Sequence, residues 1–205
     1  MYLKRYLYHG SIVPNITELS ANAKSHDGKH DILYLTDNFA YSLFYIWDSK
    51  HNLKKGKHVT CWIKNGIVYY EEQFENQLKR FYDGVSGYVY VLKNSDDFRQ
   101  VADRESMWFS DNNVLVSDTI YVPNVYEEIQ KYVAEGKIKI ISFEQADRKR
   151  IDDLYKRISD RIVKDNLLNT PDCEDALFYR TFFPKAWEDA NECSINKRFK
   201  RSYYK

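Results

Sequence analysis

The sequence predicts an α+β fold in which a small mixed, mostly antiparallel sheet is followed by a helical C-terminal extension. Three observations predict it. The pair Asn65-Gly66 stands between two runs of strand formers, a strong local signal for an antiparallel hairpin. Strand-like and helix-like segments follow one another without the repeated βαβ units of a doubly wound sheet. From Glu144 onward the pattern is helical alone. With 205 residues, 43% of them hydrophobic, the chain can bury one substantial core. We divide it into a sheet-bearing part, 1–143, and a helical extension packed on it, 144–205.

Tyr6-Leu7-Tyr8-His9 is rich in strand formers and meets Gly10-Ser11, which ends a short first strand. After a polar loop over 22–30, Ile32-Leu33-Tyr34-Leu35-Thr36 forms a second strand, and Asp37-Asn38 caps a helix. In that helix Ala40, Leu43, Phe44 and Trp47 recur at three- and four-residue spacing and line a core-facing side. Val59-Thr60-Cys61-Trp62-Ile63 and Ile67-Val68-Tyr69-Tyr70 are the arms of the hairpin. Phe74, Leu78 and Phe81 define a helix that Gly84 closes, and Gly87-Tyr88-Val89-Tyr90-Val91-Leu92 returns to strand. Met107-Trp108-Phe109-Ser110 and the run 114–122 read as two more strands. Pro123 then opens a helix carrying Val125, Ile129 and Val133, and a last strand falls within 137–143. In the extension, Ile151, Leu154, Tyr155, Ile158 and Ile162 form an apolar stripe with charges opposite, including Arg148-Lys149-Arg150, which reads as a solvated face. A second helical stretch over 172–192 is broken or kinked at Pro184.

Composition excludes several classes. Cys61, Cys173 and Cys193 are odd in number and far apart, in no metal-ligand spacing, so reduced thiols are expected and no metal site. A net charge of +1 supplies no broad field for nucleic acid. The one local candidate is the tail over 197–205, within Asn196-Lys197-Arg198-Phe199-Lys200-Arg201-Ser202-Tyr203-Tyr204-Lys205, where aromatics alternate with cations; weak nucleic-acid contact or a solvated terminus are its two readings. Neither a signal-peptide pattern nor a run of about 20 apolar residues opens the chain, and a cytoplasmic protein is expected.

Two segments carry the chemistry. Leu7-Tyr8-His9-Gly10-Ser11 and Leu33-Tyr34-Leu35-Thr36-Asp37-Asn38 resemble the first two signatures of the ADP-ribosyltransferase superfamily, in the His-Tyr-acid subgroup that includes poly(ADP-ribose) polymerases and rifampin ADP-ribosyltransferases. In that family a small hydroxyl residue follows the strand tyrosine by eight positions and a second tyrosine comes three later; here these are Ser42 and Tyr45. The resemblance covers about residues 6–125, most closely over the first forty. It implies a split antiparallel sheet and NAD as co-substrate, with the nicotinamide–ribose bond cleaved and ADP-ribose passed to an acceptor.

The resemblance also implies roles with physical reasons behind them. A nicotinamide ring is flat and apolar on its faces and polar at its carboxamide, so Tyr34 and Tyr45 would stack on it. The backbone of Gly10, beside Ser11, and the hydroxyl of Ser42 would serve the carboxamide, and His9 a ribose hydroxyl. An acidic side chain is needed where positive charge develops on the ribose. Glu105, just ahead of an aromatic strand, is preferred; Asp111 is the alternative. If Asn113-Val114-Leu115-Val116 is instead the strand that begins at the catalytic position, that position holds Asn113 and the enzyme is impaired. Three functions are therefore open: an ADP-ribosyltransferase acting on a protein, nucleic acid or small molecule; an inactive module that keeps the fold for binding; and an NAD-dependent transferase that removes an RNA 2′-phosphate.

Overall fold

The computed structural model describes residues 6–25, 28–54 and 56–202. Its first strand, β1 (Tyr6–Ser11), is followed by two short strands, β2 (Glu18–Leu19) and β3 (Ala23–Lys24), and by β4 (Asp31–Thr36). Asn38 caps α1 (Phe39–Ser42) by accepting the amide of Tyr41 at 3.1 Å, as the Asp37-Asn38 pair predicts. The expected longer helix stops early: after one turn the chain tightens into a 3₁₀ turn (Leu43–Tyr45) and leaves helical geometry at Ile46. Leu43, Phe44, Ile46 and Trp47 are all buried even so, because the tight turn lies flat on the core.

β5 (Thr60–Lys64) and β6 (Ile67–Glu71) form the predicted antiparallel hairpin, with Asn65 and Gly66 both at positive φ, 53° and 76°, as a two-residue primed turn requires. Next come α2 (Gln77–Tyr82), β7 (Gly87–Lys93), β8 (Arg99–Gln100) and β9 (Met107–Ser110). The run 114–122 is not one strand. It breaks into β10 (Val114–Leu115), paired with β2, and β11 (Asp118–Val122), paired with β7. Two partners on different sheets demand a change of direction, which Val116-Ser117 makes while the Ser117 amide bonds to the Val91 carbonyl. Helix α3 (Val125–Ala134) and β12 (Ile138–Ile141) complete the sheet-bearing part, and β12 joins β6 in parallel.

The main sheet has the order β11-β7-β1-β4-β9-β8, with β3 also on β4, and the second has the order β12-β6-β5. Pairing is antiparallel apart from β12 with β6, so the fold is α+β with a mixed, mostly antiparallel arrangement. Alternation along β1 and β4 sends Leu7, Leu33 and Leu35 to a small apolar cluster on one side, while Tyr8 and Tyr34 pack on the larger core on the other.

The C-terminal helices are α4 (Arg148–Lys164), α5 (Glu174–Phe182) and α6 (Pro184–Ser202), with α5 ending and α6 beginning around Pro184. They have no core of their own. Phe178, Phe182 and Phe183 pack on Phe74 and Phe81, and Ile158 and Ile162 belong to the same buried cluster as Phe44 and Tyr70. The buried Glu71 carboxylate receives Arg150 Nη2 at 2.5 Å, and Tyr155 donates its hydroxyl to the Gln73 carbonyl at 3.3 Å, which tethers α4 to the hairpin. The basic tail over 197–205 lies outside the residues whose side chains are described. Among the described residues no helix is long and apolar enough to cross a membrane.

Candidate functional site

The site begins where the main sheet comes apart. β1 pairs along its whole length with β7, yet its register with β4 holds at a single position, Tyr8 opposite Thr36. Beyond that pair the two strands diverge, and the gap is bridged by a side chain: His9 Nδ1 lies 3.2 Å from the Tyr34 carbonyl oxygen. A carbonyl only accepts, so Nδ1 carries the proton and Nε2 presents a lone pair. Burial pushes the His9 pKa down, and the Tyr34 carbonyl opposes that shift only in part, so the ring is neutral at neutral pH.

A shallow cleft of about 10 Å³ opens at this split, lined by Tyr8, His9, Gly10, Tyr34, Leu35, Thr36, Ser42 and Tyr45. His9, Gly10, Tyr34, Ser42 and Tyr45, which the sequence nominates from three separate segments, thus meet in one place. Ser11, also nominated, is not among the lining residues; its hydroxyl accepts the Val13 amide at 3.1 Å. Tyr8, Leu35 and Thr36 were not nominated. Their signal was present in the strand pairing, since Tyr8 faces Thr36 across the split, but register is a tertiary property.

Gly10 is required for a reason other than ligand access. A Cβ on Gly10 would lie 2.1 Å from the Ser42 carbonyl oxygen and 3.2 Å from the Ile46 amide nitrogen. The absent side chain is what lets the α1 turn rest on β1, and this close approach carries Ser42 and Tyr45 to the cleft. Ser42 is fully buried and donates its hydroxyl proton to the Phe39 carbonyl at 2.7 Å, so its oxygen faces the cleft as an acceptor. Thr36 donates to the Ser106 carbonyl at 2.8 Å and accepts the Asn38 amide at 3.1 Å, which locks the end of β4 to the approach to β9.

The three candidate catalytic positions, Glu105, Asp111 and Asn113, lie apart from this lining. Glu105 precedes β9, the strand bonded to the Tyr34 strand, but its carboxylate accepts the amides of Asn65 at 2.8 Å and Gly66 at 2.5 Å and so clamps the hairpin turn. It lines a neighbouring groove of about 180 Å³ with Tyr41, Cys61, Trp62, Asp103 and Met107. The groove adjoins the cleft through Tyr41, whose ring meets that of Tyr45 edge to face at 5.5 Å. Burial, first, and then the neighbouring Cys61 and Tyr45 push the Tyr41 hydroxyl far above the usual tyrosine range, so it stays protonated. Asp111 is paired with Arg99 and lies 3.7 Å from His30. Asn113 accepts the Ala21 amide at 3.0 Å, and the strand that follows it pairs with β2, not with the strands of the cleft.

Comparison with family models, with curated proteins and with solved structures yields no match. Function must be read from the cleft itself.

Proposed function

We propose that this protein is an ADP-ribosyltransferase that binds NAD at the split of its sheet, cleaves the nicotinamide–ribose bond and transfers ADP-ribose to an acceptor. The observation that carries the reading is the convergence of His9, Gly10, Tyr34, Ser42 and Tyr45 on one cleft. The residues present suit the nicotinamide end. Tyr8, Tyr34 and Tyr45 offer aromatic walls for a flat ring, and the Ser42 oxygen, its proton already committed, accepts from a carboxamide N–H. His9 Nε2 accepts from a ribose hydroxyl. The cleft encloses only about 10 Å³, far below the roughly 300–1,000 Å³ that enclose a drug-sized ligand, so the nicotinamide end rests against its walls and the rest of the dinucleotide lies on the open face.

Glu105 is the acid we assign to the developing positive charge, because β9 brings it beside the end of the Tyr34 strand. Two tests follow. Tyr45→Ala removes a stacking face and weakens NAD binding by about 1–3 kcal/mol in calorimetry; wild-type affinity would take Tyr45 out of the site. Glu105→Gln lowers NAD turnover by about 100-fold with affinity near wild type, with Asp111→Asn as the matched control that retains activity. If the two variants behave the other way round, the role moves to Asp111.

One observation favours a second reading, an inactive binding module of the same fold: the Glu105 carboxylate is held by the hairpin amides and not by any cleft residue. NAD binding without turnover, and without transfer to pools of protein, DNA or RNA, would establish it.

A further inference from the structure

Tyr45 lines the cleft and carries a cation over its ring. Lys57 Nζ lies 3.7 Å from the centre of that ring, squarely over a face. The same ammonium is 5.9 Å from the Tyr41 ring centre and 3.8 Å from Cys61 Sγ. Tyr41 and Cys61 line the neighbouring groove, and Lys57 is absent from the lining of the cleft itself. The ammonium is thus held against the Tyr45 ring without itself lining the cleft. Among the described residues no carboxylate lies within ion-pair distance of it.

Resting on the NAD reading above, we propose that Lys57 is a positioning residue that makes the cleft discriminate by charge, disfavouring a cationic ring on Tyr45 and favouring a neutral one. The nicotinamide of NAD is a pyridinium cation. When its bond to ribose breaks, the electron pair stays on the ring nitrogen and the ring leaves neutral. The positive charge passes to the anomeric carbon, where the nucleophile of the acceptor or a water adds and gives up its proton. Repulsion from Lys57 is present in the ground state and is relieved as the ring loses its charge, so it accelerates the step that releases nicotinamide. A ring stacked on the opposite face of Tyr45 lies roughly 7 Å from the ammonium; two unit charges at that distance and an effective dielectric of about 20 differ in affinity by tens of fold, and salt screening reduces this to about tenfold.

The probes are nicotinamide, which is neutral, and N1-methylnicotinamide, the same ring with a fixed positive charge; neither has a phosphate. Calorimetric titration is carried out on the wild type, on K57M and K57Q as two neutral variants, and on K57R. We expect the wild type to prefer nicotinamide by about tenfold, the neutral variants to lose that preference, and K57R to keep it. With NAD, the neutral variants lower kcat without raising KM, and K57R restores it. A preference that survives in both neutral variants overturns the role of Lys57 and leaves the cleft reading intact. Failure of the wild type to bind either ring overturns the cleft reading, and this proposal with it.

Discussion

Gly10→Ala is the substitution that the geometry constrains most tightly. The added methyl would stand 2.1 Å from the Ser42 carbonyl oxygen, more than an ångström inside ordinary contact, with Ile46 at 3.2 Å on a second side. The obstacle is backbone, so no rotamer change relieves it; either β1 bends or the turn over 39–45 lifts off the sheet. Overpacking of a core by one methyl costs typically 1–3 kcal/mol when side chains can yield, and a backbone obstacle puts this case at the upper end, about 3 kcal/mol. For a chain of this length each kcal/mol lowers the melting temperature by roughly 2–4 °C, so a fall of about 6–12 °C is expected in a thermal melt. Because the displaced turn carries Ser42 and Tyr45, NAD affinity falls in the same variant. Gly56→Ala is the control: nothing lies within 4 Å of its added methyl and its φ is not positive, so its melting temperature stays near wild type. A Gly10→Ala protein that melts with the wild type would refute the close approach of the α1 turn to β1.

Two further outcomes follow from the packing of the C-terminal helices. His58 packs tilted and edge-on among Phe178, Tyr179 and Phe183, and burial, followed by the nearby Lys54 charge, lowers its pKa from 6.5 to about 4. Below pH 6.5 the unfolded chain takes up a proton that the folded chain refuses until about pH 4, so this histidine's contribution to stability is full above pH 6.5 and is lost progressively down to about pH 4, in total about 3 kcal/mol. Denaturant melts across that window should show a flatter pH dependence for His58→Gln than for the wild type; parallel curves would remove His58 as the cause. Truncation before Asp147 strips Phe178, Phe182 and Phe183 from Phe74 and Phe81, so the fragment is expected to aggregate or lose cooperative unfolding. A soluble fragment with a sharp melt would show that the extension does not complete the core.

Local chemistry in the sequence determined the hairpin at Asn65-Gly66, the cap at Asn38, the break at Pro184 and the change from sheet to helix after β12, because each depends on the conformational limits of a few adjacent residues. His9, Gly10, Tyr34, Ser42 and Tyr45 were nominated by the resemblance of short segments to a family's signatures and not by local chemistry; they fall on two strands and on one short helical turn. The tertiary structure alone decided the rest. That 114–122 serves two sheets, that β1 and β4 part after Tyr8 and Thr36, and that Tyr8 and Thr36 line the resulting cleft are matters of register between strands distant in sequence. The same holds for Glu105, whose partners are amides contributed by Asn65 and Gly66, and for Lys57 over Tyr45. No periodicity along a chain encodes where a long side chain from one loop comes to rest on another segment; that is set by which surfaces the whole core brings together.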